Sequence, residues 1–238
     1  MTTKVPVELS STPGIVDGSN ATAITIDSSE NVGIGTTPAT GVRLDMRSDA
    51  TTNIADLRNA NSSGYGLYVA GGSSSSQYAL RAADKDNNAL FSVLSDGSVT
   101  KPKQPAFSAT ASYSNIPLAS ATTMTLSSER FDTSSDLSGN TFTAPVGGKY
   151  LFTYLFYFFN VAAAHTTLDV HIKTSNKQYQ VTYSPDHFID TDSSFSVTGS
   201  IIADMDANDT CYFSVYCAGG SAQTSLHGDS QVSGCLLM

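Results

Sequence analysis

Residues 150–159 read YLFTYLFYFF, and the way this stretch folds decides the architecture of the chain. Successive side chains of an extended strand point to opposite faces. One face then carries Tyr150, Phe152, Tyr154, Phe156 and Phe158. The other carries Leu151, Leu155, Tyr157 and Phe159, broken only by Thr153. A strand that is apolar on both faces needs cover on both. The second sheet of a sandwich supplies one cover. The remaining face of an antiparallel sheet ordinarily meets water, so a symmetric partner subunit is the expected second cover. Tyr150, Phe152, Tyr154, Leu155, Phe156, Tyr157, Phe158 and Phe159 are thus expected in the core or in a subunit interface.

The composition around this strand predicts an all-β chain. Only 14% of the 238 residues are charged. Ser, Thr, Gly, Asn and Asp are abundant, and they favour turns over helix interiors. No long segment keeps a helical apolar period. The net charge of −9 comes with scattered basic residues, so a nucleic-acid backbone, which needs a basic patch, is not an expected partner. The opening MTTKVPVELSSTPG has no apolar run, and no signal peptide is expected. The aromatic run is too short for a membrane span of about 20 apolar residues, so no membrane insertion is expected. Cys211, Cys217 and Cys235 form no CxxC pair. All three are expected as free core residues of a protein folding in a reducing cytoplasm. A zinc site from these cysteines and His227 lacks ligand spacing.

Three regions differ in texture. Residues 1–45 are poor in apolar side chains but contain TAITID (22–27) and ENVGIGTT (30–37). They cannot bury a core alone and are expected to dock on another protein or on copies of themselves. Residues 46–104 hold short apolar groups every 10 to 12 residues: NIADLRNA (53–60), GLYVAGG (66–72), QYALRAA (77–83) and ALFSVLSDGSVT (89–100), with VRLDM (42–46) just before. Asp96-Gly97 predicts a hairpin turn. TKPKQPAF (100–107) reads as a stiff extended linker. From 105 onward the chain is dense in aromatic residues, with nine candidate strands: 106–112, 123–131, 141–146, 149–161, 167–174, 180–184, 194–205, 210–217 and 231–238. In TLDVHIKT (167–174), Leu168, Val170 and Ile172 should face in, and Asp169, His171 and Lys173 out.

Several of these segments fall in a familiar order. AFSA (106–109), FDTSSDLSGNTFTAPVGGKYLFTYLF (131–156), GSIIADMDANDTCYFSV (199–215) and SQVSGCLLM (230–238) resemble the opening, central and closing strands of the complement q-subcomponent globular head, kin of the tumour necrosis factor fold. Val232 and Cys235 stand where aromatic residues are usual in the closing strand. The resemblance implies a ten-stranded jelly roll and a tight homotrimer. ENVGIGTTPAT (30–40) and LFSVLSDGSVT (90–100) are similar to segments of bacteriophage tail-fibre and appendage proteins.

Candidate chemistry is sparse. HGDS (227–230) places His, Asp and Ser together, but no GxSxG elbow is present, and triads are assembled in space. DMDAND (204–209) gathers Asp204, Asp206 and Asp209 without the glycine and distal glutamate of a calcium hand loop. Heads of the resembled family sometimes hold calcium, but no ligand set matches here, and no cofactor is expected. SPDHFIDTDSS (184–194) is an acidic loop in which Asp186, His187, Phe188, Asp190 and Asp192 could meet sugar hydroxyls. It could equally be a loop with one anchoring Phe.

The expectation is an all-β, non-enzymatic, homotrimeric virion appendage. Residues 1–45 would attach to other virion structural proteins, 46–104 would form a β-rich stem, and 105–238 a jelly-roll head. The head would bind a host surface glycan or lipopolysaccharide. One alternative is a capsid decoration or tail-joining protein with the head as a trimerisation clamp. Another is a glycan-cleaving spike with paired carboxylates.

Overall fold

The computed structural model describes residues 24–47, 54, 55, 57, 63 and 67–238. The chain divides between Tyr68 and Val69 into two compact units. Of the expected anchor, residues 1–23 lie outside the described residues, as does most of 53–60.

In the first unit, β1 (Ile24–Ile26) and β2 (Val32–Ile34) form an antiparallel hairpin, and β3 (Leu44–Met46) joins β2 in parallel. The hairpin turn is built by one carboxylate. Asp27 Oδ1 accepts the backbone N–H groups of Ser29 and Asn31, and its Oδ2 accepts the Asn31 side-chain amide. Such local bonds let Asp compete with regular structure and stop a strand. Gly33 is required by close packing. A Cβ there would lie 2.2 Å from the Thr36 carbonyl oxygen.

The second unit opens with a meander of β4 (Tyr78–Ala83), β5 (Ala89–Leu94) and β6 (Val99–Thr100). Its first turn repeats the turn of the first unit. Asp84 Oδ1 accepts the N–H groups of Asp86 and Asn88, and its Oδ2 accepts the Asn88 amide. The fourth residue is left-handed in both, Glu30 at φ 63° and Asn87 at φ 66°. The β5–β6 hairpin closes at Asp96-Gly97 as expected, with Gly97 at φ 90°. Leu67 and Tyr68 of the apolar group GLYVAGG are exposed and form no strand. One expectation is corrected. Residues 101–104 make a turn, not an extended linker: Gln104 N–H bonds Lys101 C=O, and Leu236 N–H bonds Pro105 C=O.

The head follows with β7 (Ala106–Tyr113), β8 (Thr122–Thr123), β9 (Thr125–Asp132), β10 (Leu137–Ser138), β11 (Thr141–Thr143), β12 (Gly148–Val161), β13 (His165–Thr174), β14 (Gln178–Tyr183), β15 (Ser193–Met205), β16 (Thr210–Gly219) and β17 (Ser225–Leu236). One sheet runs β15-β12-β17-β7-β9 and the other β10-β11-β16-β13-β14, with β8 also on β16. From β11 to β17 the chain crosses between the sheets at every connection but β13–β14. That weave is a jelly roll. Among the described residues the sheets hold five and six strands, one more than the expected ten, because two-residue pieces such as β8 and β10 pair as well.

Between the sheets lies an aromatic core. Phe107 stacks on Phe142 at 5.0 Å, Phe142 meets Phe152 edge-on at 5.7 Å, and Phe156 meets Phe213 edge-on at 6.5 Å. Such offset and edge geometries suit the ring quadrupole. Tyr150 satisfies its buried hydroxyl by donating to Val146 C=O at 2.8 Å.

One inward–outward assignment changes, and one outward row is covered. Leu168, Val170 and Ile172 face in and are buried, as expected, but Asp169 and His171 on the opposite face are also only 8% and 4% exposed. Their β16 neighbours in register are Tyr216 and Ser214, with Tyr212 beside Lys173. Long tyrosines around a short serine shade the row between them. Cys235 is not a core residue. Its neighbour Gly234 faces in, where a Cβ would meet Phe107 and Phe152, so Cys235 sits on the outer face beside Leu151 and Ala106.

Candidate functional site

The outer face of the β12 sheet is the first candidate. Strand β12 turns Tyr150, Phe152, Tyr154, Phe156 and Phe158 into the sandwich, where each is at most 3% exposed. These five are core of the single chain and not interface. Leu155, Tyr157 and Phe159 point the other way, with Leu151 and Thr153. Leu155 remains 48% exposed.

Register extends this apolar row sideways. On β15, Ile202, Ser200, Thr198 and Ser196 stand beside Leu151, Thr153, Leu155 and Tyr157. On β17, Cys235, Ser233 and Gln231 stand beside Leu151, Thr153 and Leu155. Ile202 is 59% exposed. Three of the hydroxyls are engaged within the chain: Thr153 Oγ1 and Ser233 Oγ lie 2.7 Å apart, and Thr198 Oγ1 donates to Tyr154 C=O, while Ser196 and Ser200 are exposed. The His227 ring packs on Tyr157 at 5.1 Å and on Phe159 at 5.7 Å. No Asp, Glu, Lys or Arg belongs to these rows. The Lys149–Asp204 ion pair marks their end at 2.5 Å. Sequence reasoning found the β12 row but missed Ile202, although the alternation in SFSVTGSIIADM places it opposite Val197 and Ile201.

The acidic loop is the second candidate, and its five residues are not brought together. Pro185–His187 form a single 3-10 turn. Phe188 is exposed but leans edge-on against Phe195 at 5.4 Å. Asp192 is a fastener. Its Oδ1 accepts the Ala163 N–H and its Oδ2 the Gln223 side-chain amide, and these bonds hold its pKa below the ordinary carboxylate range. Asp186 lies 3.9 Å from His187, and Asp190 faces solvent.

The remaining polar clusters are also structural in their contacts. Asp209 accepts the Asp206 N–H, the Ser175 hydroxyl and the Asn176 amide, which lower its pKa in that order. Asp204 pairs with Lys149. Ser230 is fully buried and accepts the Tyr157 N–H, so it is not aligned with His227 and Asp229 as a triad. His165 is fully buried with both ring nitrogens bonded, Nδ1 at 2.7 Å from Gly219 C=O and Nε2 at 2.7 Å from the Thr224 hydroxyl. Burial raises the Cys211 thiol pKa. Burial and then Asp169 push Cys217 up to about 12. Cys211 and Cys217 face the core while Cys235 faces out, so they do not converge with His227 on a zinc ion. Among the described residues, no three His, Cys, Asp or Glu side chains gather as a metal site. No helix among them is long and apolar enough to cross a membrane.

No protein-family model matches the chain. No curated protein matches it either. Solved structures do resemble it. The globular domain of zebrafish complement 1qA protein is 16% identical, covering 57% of this chain and 98% of that one, with a TM-score of 0.41. Murine APRIL is 12% identical over 57% and 100%, with a TM-score of 0.40. PRD1 vertex protein P5 is 15% identical over 57% and 98%, with a TM-score of 0.40.

Proposed function

We propose that this chain is a homotrimeric, non-enzymatic virion appendage, a tail fibre or spike. Residues 1–45 attach it to other virion proteins, 46–104 form the stem, and the head (105–238) meets a host surface glycan or lipopolysaccharide. The observation that carries the reading is the apolar row on the outer face of the β12 sheet. Leu151, Leu155, Tyr157, Phe159 and Ile202 form a contiguous apolar patch, and such patches on soluble proteins mark interaction sites. A second copy suits it, because the half-exposed Leu155 and Ile202 offer a partner apolar surface and no charge to pair with. Multivalent display by three heads raises avidity over a weak single site. The tail-fibre-like segments 30–40 and 90–100 support the virion setting.

A second reading, a capsid decoration or tail-joining protein, draws support from the acidic loop. Asp192 and Phe188 are engaged in holding that loop, which leaves less of it for a receptor. Light scattering on the full chain tests the trimer, with an expected mass of three 24.9-kDa chains. Well-behaved monomers at micromolar concentration would overturn it. Binding of the full chain to host cells, competed by their purified polysaccharide, supports the appendage. Binding to capsid particles with none to cells supports the decoration reading.

A further inference from the structure

Each of the two small sheets outside the head is closed on one face and bare on the other. In the first, Thr25, Gly33 and Asp45 form a rank across β1, β2 and β3. The connection from β2 to β3 folds over that face. The Thr36 carbonyl lies against Gly33, and Asp45 accepts the Ala39 N–H at 3.0 Å. The opposite face is two apolar ranks, Ile24, Ile34 and Met46, then Ile26, Val32 and Leu44. Ile26 is 68% and Leu44 57% exposed.

The meander repeats this arrangement. Arg81, Ser92 and Thr100 form a rank across β4, β5 and β6. Arg81 closes that face. It donates to the Asn87 side-chain oxygen and carbonyl and lies over the Tyr78 ring at 5.3 Å, and Ser92 is buried. On the other face Leu80, Val93 and Val99 form one rank, with Ala82 beside Phe91 in the next. Leu80 and Val99 are exposed. No charged residue stands in any of these apolar ranks.

A sheet with an apolar face must bury it against another element. The size of the faces selects that element. Five or six side chains are far fewer than the roughly 20–30 residues a side of a stable interface between free proteins. A partner already held nearby needs no such area, because tethering supplies an effective concentration of about millimolar. A copy of this chain joined through its head is such a partner. The recurrence of one design points the same way, since two like faces on one chain match two like faces on the next.

We infer that both sheets are interfaces between copies of this chain. The apolar face of β1-β2-β3 packs on the same face of neighbouring copies, and that of β4-β5-β6 does likewise. The inference rests on the homotrimer proposed above and names what joins the copies outside the head. The heads associate first, and the small sheets close afterwards.

Hydrogen exchange and photo-cross-linking on the full chain test this. In the wild-type trimer the amides of β1 to β6 should exchange slowly. In monomeric Leu155→Asp they should exchange about tenfold faster or more, since full burial of one aliphatic side chain is worth at least that ratio, while β12 and β13 keep their protection. Ile26→Asp and Val99→Asp should each quicken exchange in its own sheet and leave the mass of three chains unchanged. Irradiated Phe91→benzoylphenylalanine should give covalent dimers on a denaturing gel, joined within residues 78–100 of two copies. Protection in Leu155→Asp equal to wild type would mean that the chain covers its own sheets. Fast exchange in the trimer would assign the cover to another virion protein. Either result, unchanged exchange in both aspartate variants, or cross-links confined to one chain overturns the inference and leaves the trimer. A monomeric wild type overturns the trimer and this inference with it.

Discussion

At the residue scale, Leu155 and Phe156 are chain neighbours with opposite surroundings. Phe156 is fully buried against Tyr154, Phe158 and Phe213. An aspartate there is an unpaired charge in a packed core and costs about 3–5 kcal/mol or more, a large share of a domain's stability. Phe156→Asp should therefore prevent folding and not merely assembly. Leu155 is half exposed in the single chain, so Leu155→Asp should leave a folded monomer. Circular dichroism melts and light scattering on both variants check this; a trimeric Leu155→Asp chain would remove the proposed interface. His171 makes a separate prediction. Burial, then the Lys173 charge, lowers its pKa, opposed by Asp169 and Gln180. With the folded pKa below 6.5, the unfolded chain takes up the proton first as pH falls. Stability from this group is complete above 6.5 and declines with falling pH through the window down to the folded pKa. Thermal midpoints between about pH 8 and 5 should fall less steeply in His171→Gln than in wild type, because neutral Gln does not titrate.

At the element scale, the paired Asx hairpins give the next test. Asp84 alone accepts three hydrogen bonds that hold the β4–β5 turn. Asp84→Ala should cost about 1–2 kcal/mol locally, as loss of a capping carboxylate does. Amide exchange in β4 and β5 should quicken while the head's thermal midpoint stays put; unchanged exchange would mean that the turn is held by its backbone. The strands themselves were legible in the sequence because alternation has physical force. In 150–161, 167–174 and 210–217 the apolar residues at every second position are the ones that fill the core. The Asp96-Gly97 turn was legible because few residues tolerate positive φ. Other features left no local mark. That the outward row Asp169, His171 and Ser214 is covered depends on which strands neighbour β13, and periodicity along one strand says nothing about that. Cys235 was assigned to the core by residue type, whereas its face is fixed by Gly234 leaving room for Phe107 and Phe152. The turn at 101–104 is held by Gln104 and Pro105 bonding to Leu236, at the far end of the chain.

At the scale of the whole molecule, charge and apolar surface pull on assembly in opposite directions. Each chain carries a net charge of −9, so three copies repel one another. The face proposed to join them has no ion pair except Lys149–Asp204 at its end, whose side chains are 46% and 76% exposed. An exposed pair of that kind contributes little. Attraction must come from burying Leu151, Leu155, Tyr157, Phe159 and Ile202, at roughly 25 cal/mol per Å² of apolar area removed from water. Raising the salt screens the repulsion, since the Debye length shrinks from about 10 Å at 0.1 M to about 3 Å at 1 M. It leaves apolar burial intact, and sulfate strengthens it. Trimerisation should therefore tighten or hold as sodium chloride rises from about 0.02 M to 1 M, over the Debye range that weakens exposed ion pairs. Sedimentation equilibrium at several concentrations measures this directly. A trimer that dissociates as salt rises would mean that ion pairs join the copies, and the outer face of the β12 sheet would then be the wrong surface.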